Sequence, residues 1–328
     1  MDVQLAIKLE DLVNAAGHWL ELFDSSFAQD NVPLHARPVK SAMWLVRDGV
    51  QEMPFGDSGM DFLDKEWFAA LVIAIREWYR DRYGAAAFEP VRDVLSGLVL
   101  LYGTPVKIEA RVTVAEVEVE GETSWLIFPD AIHKSESLQS FFPTRPNLNT
   151  LPTEDRGELE VRVATIVRSA RSINLALQAA AGTVDEVAQM AAGVWGHVEK
   201  AVVDILTLTP AVAAVGCWEL HLAVEKAFKI FLMQMGSRMM GHDLNTLSKA
   251  STKHGLVVTE TVLAKLPDWH RAINLRYGEV AIEIAEAIEN YNAALQLVYE
   301  ITDKLQRAYR FNNAGFLLKK PPWVGRGT

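Results

Sequence analysis

The stretch from Thr209 to Gly236 constrains the fold more than any other part of the chain, because it is a long helical pattern with apolar residues on every side. The Thr209 hydroxyl is expected to accept a free amide hydrogen bond, and Pro210 suits the first helical position. Gly236 is a typical helix stop. One half of this helix is apolar, and a helix with apolar residues among its charges meets two surfaces. Three residues interrupt the charged half and are expected to form a dimer surface: Trp218, Leu222 and Leu232.

A chain of 328 residues exceeds the usual limit for one hydrophobic core, so we expect two domains. Residues 141–157 hold three prolines and little periodic apolar content, which places the boundary there. The predicted fold is an α+β domain with a small antiparallel sheet over 1–150, followed by an all-α helical bundle with a basic C-terminal tail over 151–328. The chain should be mostly helical overall.

The first domain combines helical and period-two patterns. Helices are predicted over residues 1–28 and 61–82, and the prolines and glycines of residues 30–60 predict irregular structure. Periodicity does not decide between helix and strand for residues 91–101. From 107 to 128 the apolar residues alternate, which predicts a hairpin with a turn at Gly121. A slip of that alternation at Ala115 suggests a β-bulge.

The second domain reads as helical throughout. Thr183 and Glu186 match a capping box, in which each side chain satisfies the other's backbone amide. Asp243 is a helix start, and Pro267 interrupts a later helix. The predicted helices cover residues 154–180, 184–206, 209–236, 243–255, 259 onward and 278–310.

Composition and charge limit the classes of function. No apolar run reaches the roughly 18 to 20 residues of a membrane span, and the first residues are acidic where a signal peptide is basic, so we expect a cytoplasmic protein and no membrane partner. Cys217, the single cysteine, is expected to be a buried apolar side chain. Residues 1–150 carry 13 Lys and Arg against 23 Asp and Glu, so any nucleic-acid contact should fall in the second half. The chain from Lys304 onward is basic and lacks acids.

Most catalytic signatures are missing. The sequence Gly56-Asp57-Ser58-Gly59 lacks the residues that follow the protease nucleophile, and there is no Walker loop, GxGxxG, HExxH or CxxC. The histidines lack helical metal-ligand spacing, so neither a metal nor a cofactor is expected. A metal site assembled through space from Glu219, His242 and Asp243 stays open as an alternative.

Four segments in order resemble the HEPN family, a helical bundle named for nucleotide binding in higher eukaryotes and prokaryotes. The family has an E…EKALKALL helix, a "gHDL" helix start and a later "RYP" segment. The resemblance covers roughly residues 184–310. The matching segments are Glu219, then Glu225-Lys226 within AVEKAFKIFL, then Gly241-His242-Asp243-Leu244, then Arg276-Tyr277-Gly278-Glu279.

The resemblance implies a bundle that often dimerises and binds nucleotides, RNA or a partner nucleotidyltransferase. Some members are ribonucleases with an R-x4-6-H motif. Here only three residues separate Arg238 from His242, so ribonuclease activity is doubtful and the question of an enzyme stays open. The GS…D-x-D pattern of the minimal nucleotidyltransferases is also missing.

The candidate ligand-binding residues combine cations, acids and one aromatic ring. Arg276 offers a planar charged fork, Tyr277 a stacking face and Lys226 a mobile point charge. The alternative is that these residues pair with one another inside the bundle. The expected functions are a dimeric, non-catalytic binding module fused to a recognition domain, a HEPN-type ribonuclease or toxin, or a nucleotide-binding regulator. The candidate residues are Glu219, Lys226, His242, Asp243, Arg276 and Tyr277.

Overall fold

The computed structural model describes residues 11, 13–50, 62–63, 65–84, 93–183 and 185–319. Over these residues the chain is mostly helical with two small antiparallel sheets, which confirms the expected fold class. None of the described helices combines the length and the apolar character needed to cross a membrane. The helices are α1 (Gly17–Gln29), α2 (Arg37–Trp44), α3 (Glu66–Tyr83), α4 (Thr153–Ala181), α5 (Asp185–Leu206), α6 (Pro210–Gln234), α7 (Leu244–Thr252), α8 (Glu260–Leu263), α9 (Trp269–Arg276) and α10 (Ile284–Asp303). The strands are β1 (Val94–Leu101), β2 (Thr104–Arg111), β3 (Val114–Val119), β4 (Thr123–Ile127) and β5 (Gly315–Lys319).

Contacts within the chain define two units, and their limits differ from the boundary expected near residue 150. The sheet β1–β2 groups with the later helices because it packs on them: Gly97 of β1 lies against Ile166 of α4 and Tyr291 of α10. The division at residue 150 stays a prediction. The first unit is Met1–Arg92, Val117–Ser124 and Leu317–Thr328, and the second is Asp93–Glu116 and Trp125–Phe316.

In the first unit, α1, α2 and α3 surround an apolar cluster that includes Leu20 and Phe68. The buried carboxylate of Asp24 accepts hydrogen bonds from Arg37 Nη1 at 2.7 Å and from the Tyr83 hydroxyl at 2.5 Å. A buried charge must be paired in this way, because an unpaired one is costly.

The expectation of irregular structure over residues 30–60 is wrong for 34–49. Residues 34–36 form a 3₁₀ turn, α2 follows, and Leu45–Gly49 form a single π-helical turn. Pro38 lies in the first turn of α2, where its missing N–H has no helical partner to lose. The predicted helix over 61–82 is found as α3 and ends at Gly84, with φ +83°. The segment Gly56–Gly59 lies outside the described residues.

The segment 91–101, which periodicity left undecided, contains strand β1. A two-residue turn joins β1 to β2, with Tyr102 at φ 52° and Gly103 at φ 75°. The expected bulge at Ala115 is wrong: β2 ends at Arg111 and β3 begins at Val114 in the other sheet, so the alternation slips because one strand ends and another starts. The predicted turn at Gly121 is present, with φ +77°. Part of the expected basic tail is strand β5, which pairs with β4.

Helix α6 forms the centre of the second unit. Pro210 occupies its first turn, and Gly236 follows its end with φ +73°. Most of its residues are buried, and at Gly216 the backbone comes so close to α5 that an added Cβ would lie 3.1 Å from Asp204 Cβ. The expected Thr209 cap is wrong, because no cap bond forms and the Thr209 hydroxyl donates to the carbonyl of Thr207 at 3.3 Å.

Of the other predicted helix-start signals, the cap at Asp243 is confirmed and the capping box of Thr183 and Glu186 is wrong. Asp243 caps α7 and accepts from the amides of Asn245 and Thr246. The capping box does not form, because the Thr183 hydroxyl donates to the carbonyl of Ala180 at 2.6 Å and Glu186 pairs with Arg238. The last helix is shorter than the predicted 278–310, since α10 begins at Ile284.

Candidate functional site

One face of α6 carries aromatic and charged side chains toward the α6–α7 loop and α9. Trp218, His221, Glu225 and Lys229 follow one another at intervals of three or four, which places them on one side of the helix. The Trp218 and His221 rings are stacked, with centroids 5.8 Å apart and an interplanar angle of 9°.

The segment after α6 folds back so that His242 touches this face twice. Its Nδ1 lies 2.9 Å from Glu225 Oε1, and its carbonyl accepts a hydrogen bond from His221 Nε2 at 3.0 Å. The same oxygen of Glu225 also accepts from Lys229 Nζ at 2.7 Å. Glu225 therefore ties the loop to the helix, while the other carboxylate oxygen, Oε2, is buried with no hydrogen-bond partner.

Burial and capping shift two pKa values at this site. Burial lowers the pKa of His221, because the imidazolium form would lose its hydration. Burial thus favours the neutral ring of His221, which donates from Nε2 to the carbonyl of His242. The pKa of Asp243 is lowered mainly by the hydrogen bond from the Thr246 hydroxyl, and also by the amides that it caps.

Helix α9 covers this face with a second set of rings. Trp269 stacks on His242 at 4.7 Å with an interplanar angle of 11°, and it lies 5.8 Å from Trp218. Arg276, at the end of α9, places its guanidinium 5.4 Å from the Trp218 ring centre and 5.3 Å from that of Tyr277. We call the resulting group the aromatic–arginine cluster: Trp218, His221, His242, Trp269, Arg276 and Tyr277.

The cluster borders a cleft of about 360 Å³, which Trp269 also lines. The carboxylates of Asp243 and Asp268, at the edge of this cleft, are engaged in capping α7 and α9. Arg271 pairs with Glu286. Lys265, which lines the cleft, makes no ion pair with any residue that the structure describes, and neither does Arg276 in the adjoining cluster.

Three of the six predicted ligand-binding residues, His242, Arg276 and Tyr277, meet in the cluster. Asp243 is next to it but serves as a helix cap. The other two predicted residues lie against α5: Glu219 Oε2 is 2.6 Å from His197 Nδ1, and the Lys226 ammonium lies over Gly193. The sequence left two interpretations open, ligand binding and pairing inside the bundle. They apply to different residues, since Glu219 pairs within the bundle while Arg276 does not.

The expected dimer surface needs correction. Leu232 is fully buried in the core of the second unit, and Trp218 is 7% exposed beneath Trp269 and Arg276. Only Leu222 keeps partial exposure. Leu232 and Trp218 therefore pack inside the second unit and do not form a free surface.

The metal site considered from Glu219, His242 and Asp243 does not form. Within the described residues no three His, Cys, Asp or Glu side chains come together closely enough to hold a metal ion. Cys217 is buried, as expected, and burial raises the pKa of its thiol to about 11.

Sequence reasoning missed Trp269, His221 and Glu225 as members of the site. The spacing of His221 and Glu225 from Trp218 on α6, at i+3 and i+7, could have indicated that they share its face of the helix. Trp269 had no such signal, because it reaches the cluster through space from a different helix.

The fold and site define a mostly helical α+β protein with a cluster of aromatic rings and one arginine against the middle of its central helix, α6. Comparison with protein families, curated proteins and solved structures finds no match. Membership of the HEPN family stays a prediction from the four sequence segments.

Proposed function

We propose that the second unit is a non-catalytic binding module whose ligand is a planar aromatic molecule with a negative charge, with a nucleotide as the expected class. The observation that carries this proposal is the position of Arg276. Its guanidinium is exposed, lies 5.4 Å from the ring centre of Trp218 and 5.3 Å from that of Tyr277, and makes no ion pair with a described residue.

The chemistry of the cluster fits both parts of such a ligand. An arginine fork held in place by stacking binds phosphate oxygens in a bidentate manner. The exposed ring of Tyr277 offers a face for a base, and the half-exposed His242 is held flat against Trp269. The bordering cleft of about 360 Å³ lies at the lower end of the range for small-molecule sites.

The resemblance to the HEPN family supports the proposal, since that family includes nucleotide- and RNA-binding bundles. It also motivates two further parts of the proposal: that the protein is a homodimer, and that the N-terminal region supplies recognition of a protein or ligand. The dimer surface, in this proposal, lies outside Leu232 and Trp218.

The test is titration of the full chain with ATP, followed by tryptophan fluorescence, because Trp218 and Trp269 lie in the cluster. The Arg276→Ala variant should bind at least tenfold more weakly, which matches the loss of one charge-assisted phosphate contact. Arg156→Ala removes an exposed arginine outside the cluster and should bind as the parent does. Equal binding by the parent and Arg276→Ala, or no binding of ATP, GTP or short RNA at millimolar concentration, contradicts the proposal.

A ribonuclease is the second candidate, because His242 has one feature of an acid–base catalyst. Its Nδ1 is held by the buried Glu225 carboxylate, and 49% of its side chain is exposed to solvent. The partner arginine of the family motif is less well placed, because Arg238 pairs with Glu186 rather than with Glu225. RNA degradation that disappears in His242→Ala would support this candidate, and an intact mixed RNA pool would eliminate it.

A further inference from the structure

A second recess in the same unit lies between β1, the start of α4 and α10. It has a volume of about 900 Å³, and its apolar wall includes Leu98–Leu101, Val161 and Ile288. Three of its residues are strongly exposed although apolar or aromatic: Leu100 at 47%, Tyr102 at 62% and Val161 at 69%. This groove shares no residue with the aromatic–arginine cluster.

The groove runs along the edge of β1 rather than over one face of its sheet. Side chains of a strand alternate between faces, so a recess over a face contacts every second residue. Here four consecutive residues, Leu98–Leu101, line the groove. The sheet of β1 and β2 has only these two strands among the described residues, so the second edge of β1 carries no strand.

The hydrogen-bond register shows which backbone groups point to that edge. The amide of Val112 bonds to the carbonyl of Asp93, so odd-numbered residues of β1 bond to β2. The backbone N–H and C=O groups of the even-numbered residues of β1 then point away from β2. The amide of Ser96 is one example, since it donates to Glu199 Oε1 at 2.7 Å. Leu100 lies opposite Pro105, which has no N–H to offer. The N–H and C=O of Leu100 therefore face the groove, and neither bonds to a described residue.

The helical wall of the groove adds charges to this open backbone. Asp155, Glu158 and Arg162 of α4 line the groove at spacings of three and four, on one face of the helix. None of the three makes an ion pair with a residue in the described ranges. A ligand that lies along β1 therefore meets two carboxylates at one end and a guanidinium further along.

We propose that this groove binds a short extended peptide segment of a partner protein, which adds a strand to the free edge of β1. The peptide backbone pairs with the N–H and C=O of Leu100, an apolar side chain packs against Leu100 and Val161, and a lysine or arginine meets Asp155 and Glu158. Main-chain bonds supply affinity in this mode, and side-chain pockets supply specificity. The segment is short, because Glu199 already occupies the edge at Ser96 and the buried Tyr291 hydroxyl faces the backbone of Leu98, which leaves Leu100 as the open position.

The test begins with selection of random dodecapeptides displayed on phage against the full-length protein. Enriched sequences should alternate apolar residues and carry a basic residue, and a synthetic copy should bind in fluorescence anisotropy. Its binding should slow hydrogen exchange in residues 98–103 at least tenfold.

Two matched pairs of variants connect this binding to the groove. Leu100→Pro removes the outward N–H without breaking a bond to β2, and we expect at least tenfold weaker peptide binding, whereas Leu100→Val should bind as the parent does. Glu158→Lys should also weaken binding tenfold or more, whereas Glu160→Lys makes the same charge change on α4 outside the groove and should not.

Several results would overturn the proposal. They are failure to enrich any peptide, equal binding by Leu100→Pro and Leu100→Val, and unchanged hydrogen exchange in residues 98–103. If circular dichroism shows that Leu100→Pro is unfolded, the test of the proposal rests on peptide binding by Glu158→Lys and on hydrogen exchange in residues 98–103. A dimer in sedimentation that Glu158→Lys converts to monomer would show that a second copy of the chain fills the groove, and the peptide proposal would be wrong.

Discussion

Arg171 holds together parts of the second unit that are far apart in sequence. Its side chain is 1% exposed, donates to the carbonyl oxygens of Arg111 and Ala131, and forms a bidentate pair with Glu136. These partners lie 60, 40 and 35 residues away, so nothing in the local sequence around Arg171 indicates them. An arginine on the buried side of a helix is recognisable from the sequence, whereas its partners are known only from the fold.

Replacing Arg171 should therefore be strongly destabilising. Arg171→Met keeps the length of the side chain but leaves Glu136 buried without its partner, and we expect a loss of about 3 to 5 kcal/mol in the free energy of unfolding. Urea unfolding followed by circular dichroism measures it. Arg168→Met, an exposed position on the same helix, should change stability by less than about 0.5 kcal/mol. Similar losses in both variants would contradict the assigned role of Arg171.

His221 should give the protein a specific dependence of stability on pH. Its pKa is lowered in the folded state from the ordinary value of 6.5, so below pH 6.5 the unfolded chain binds the proton more readily. Stability from this residue is present above pH 6.5 and is lost as the pH falls toward the folded pKa, with a slope of up to about 1.4 kcal/mol per pH unit. The titratable groups that face it are Glu225, His242 and Asp243.

The measurement compares urea unfolding between pH 7.5 and 5 in the parent and in His221→Gln. The variant should show a smaller decrease in stability over this range, although it is less stable at pH 7.5. His270→Gln alters an exposed histidine of α9 and should retain the parent's slope. An unchanged slope in His221→Gln means that His221 is not the titrating group.

At the scale of elements, the residues that begin and end a helix were predictable where their own backbone geometry determines the helix boundary. Pro210 opens α6 and Gly236 closes it, because both act through their own φ angles. Hydroxyl caps were less predictable, since Thr209 and Thr183 each found a carbonyl acceptor nearby and donated to it instead. The burial of Leu232 was also beyond the sequence, because a helix surrounded by its own bundle has the same apolar pattern as one in a dimer.

The crossing of α5 and α6 depends on the missing side chain of Gly216. A Cβ there would lie 3.1 Å from Asp204 Cβ and 3.2 Å from the carbonyl of Ala201, which is backbone. Gly216→Ala should therefore cost about 1 to 3 kcal/mol, despite the better helix propensity of alanine.

Gly196 provides the matched control, because it lies within α5 and an added Cβ would meet nothing within 4 Å. Gly196→Ala should raise the free energy of unfolding by about 0.5 to 1 kcal/mol. Opposite signs for the two variants in chemical unfolding are the expected result. Stabilisation by both would mean that the helices separate easily at Gly216.

At the scale of the whole molecule, the fold class was predictable, and the homodimer stays a prediction. A change from period two to a helical period is a local property of the sequence, and it correctly located a small sheet before a set of helices. The grouping of β1 and β2 with the later helices depends on contacts such as Gly97 against Tyr291, which no local pattern reveals. The same limit applies to the candidate site. The spacing of His221 and Glu225 from Trp218 is visible in the sequence of α6, whereas Trp269 of α9 joins them only through space.

The proposed dimer can be separated from the core role of α6. Leu232→Ala should lower the free energy of unfolding by about 2 to 5 kcal/mol, because it opens a cavity in the core. It should leave the mass unchanged in sedimentation equilibrium at micromolar concentration. A parent dimer that this variant converts to a folded monomer would restore Leu232 to the dimer surface.

The single thiol, Cys217, provides a probe of how often the helices around α6 separate. Cys217 lies in the middle of α6, fully buried, with a pKa of about 11, so at neutral pH almost none of it is the reactive thiolate while the bundle is closed. An alkylating reagent can then react only in molecules whose helices have separated. The rate of labelling reports how often the centre of the second unit opens, and Gly216→Ala should accelerate it while Gly196→Ala slows it.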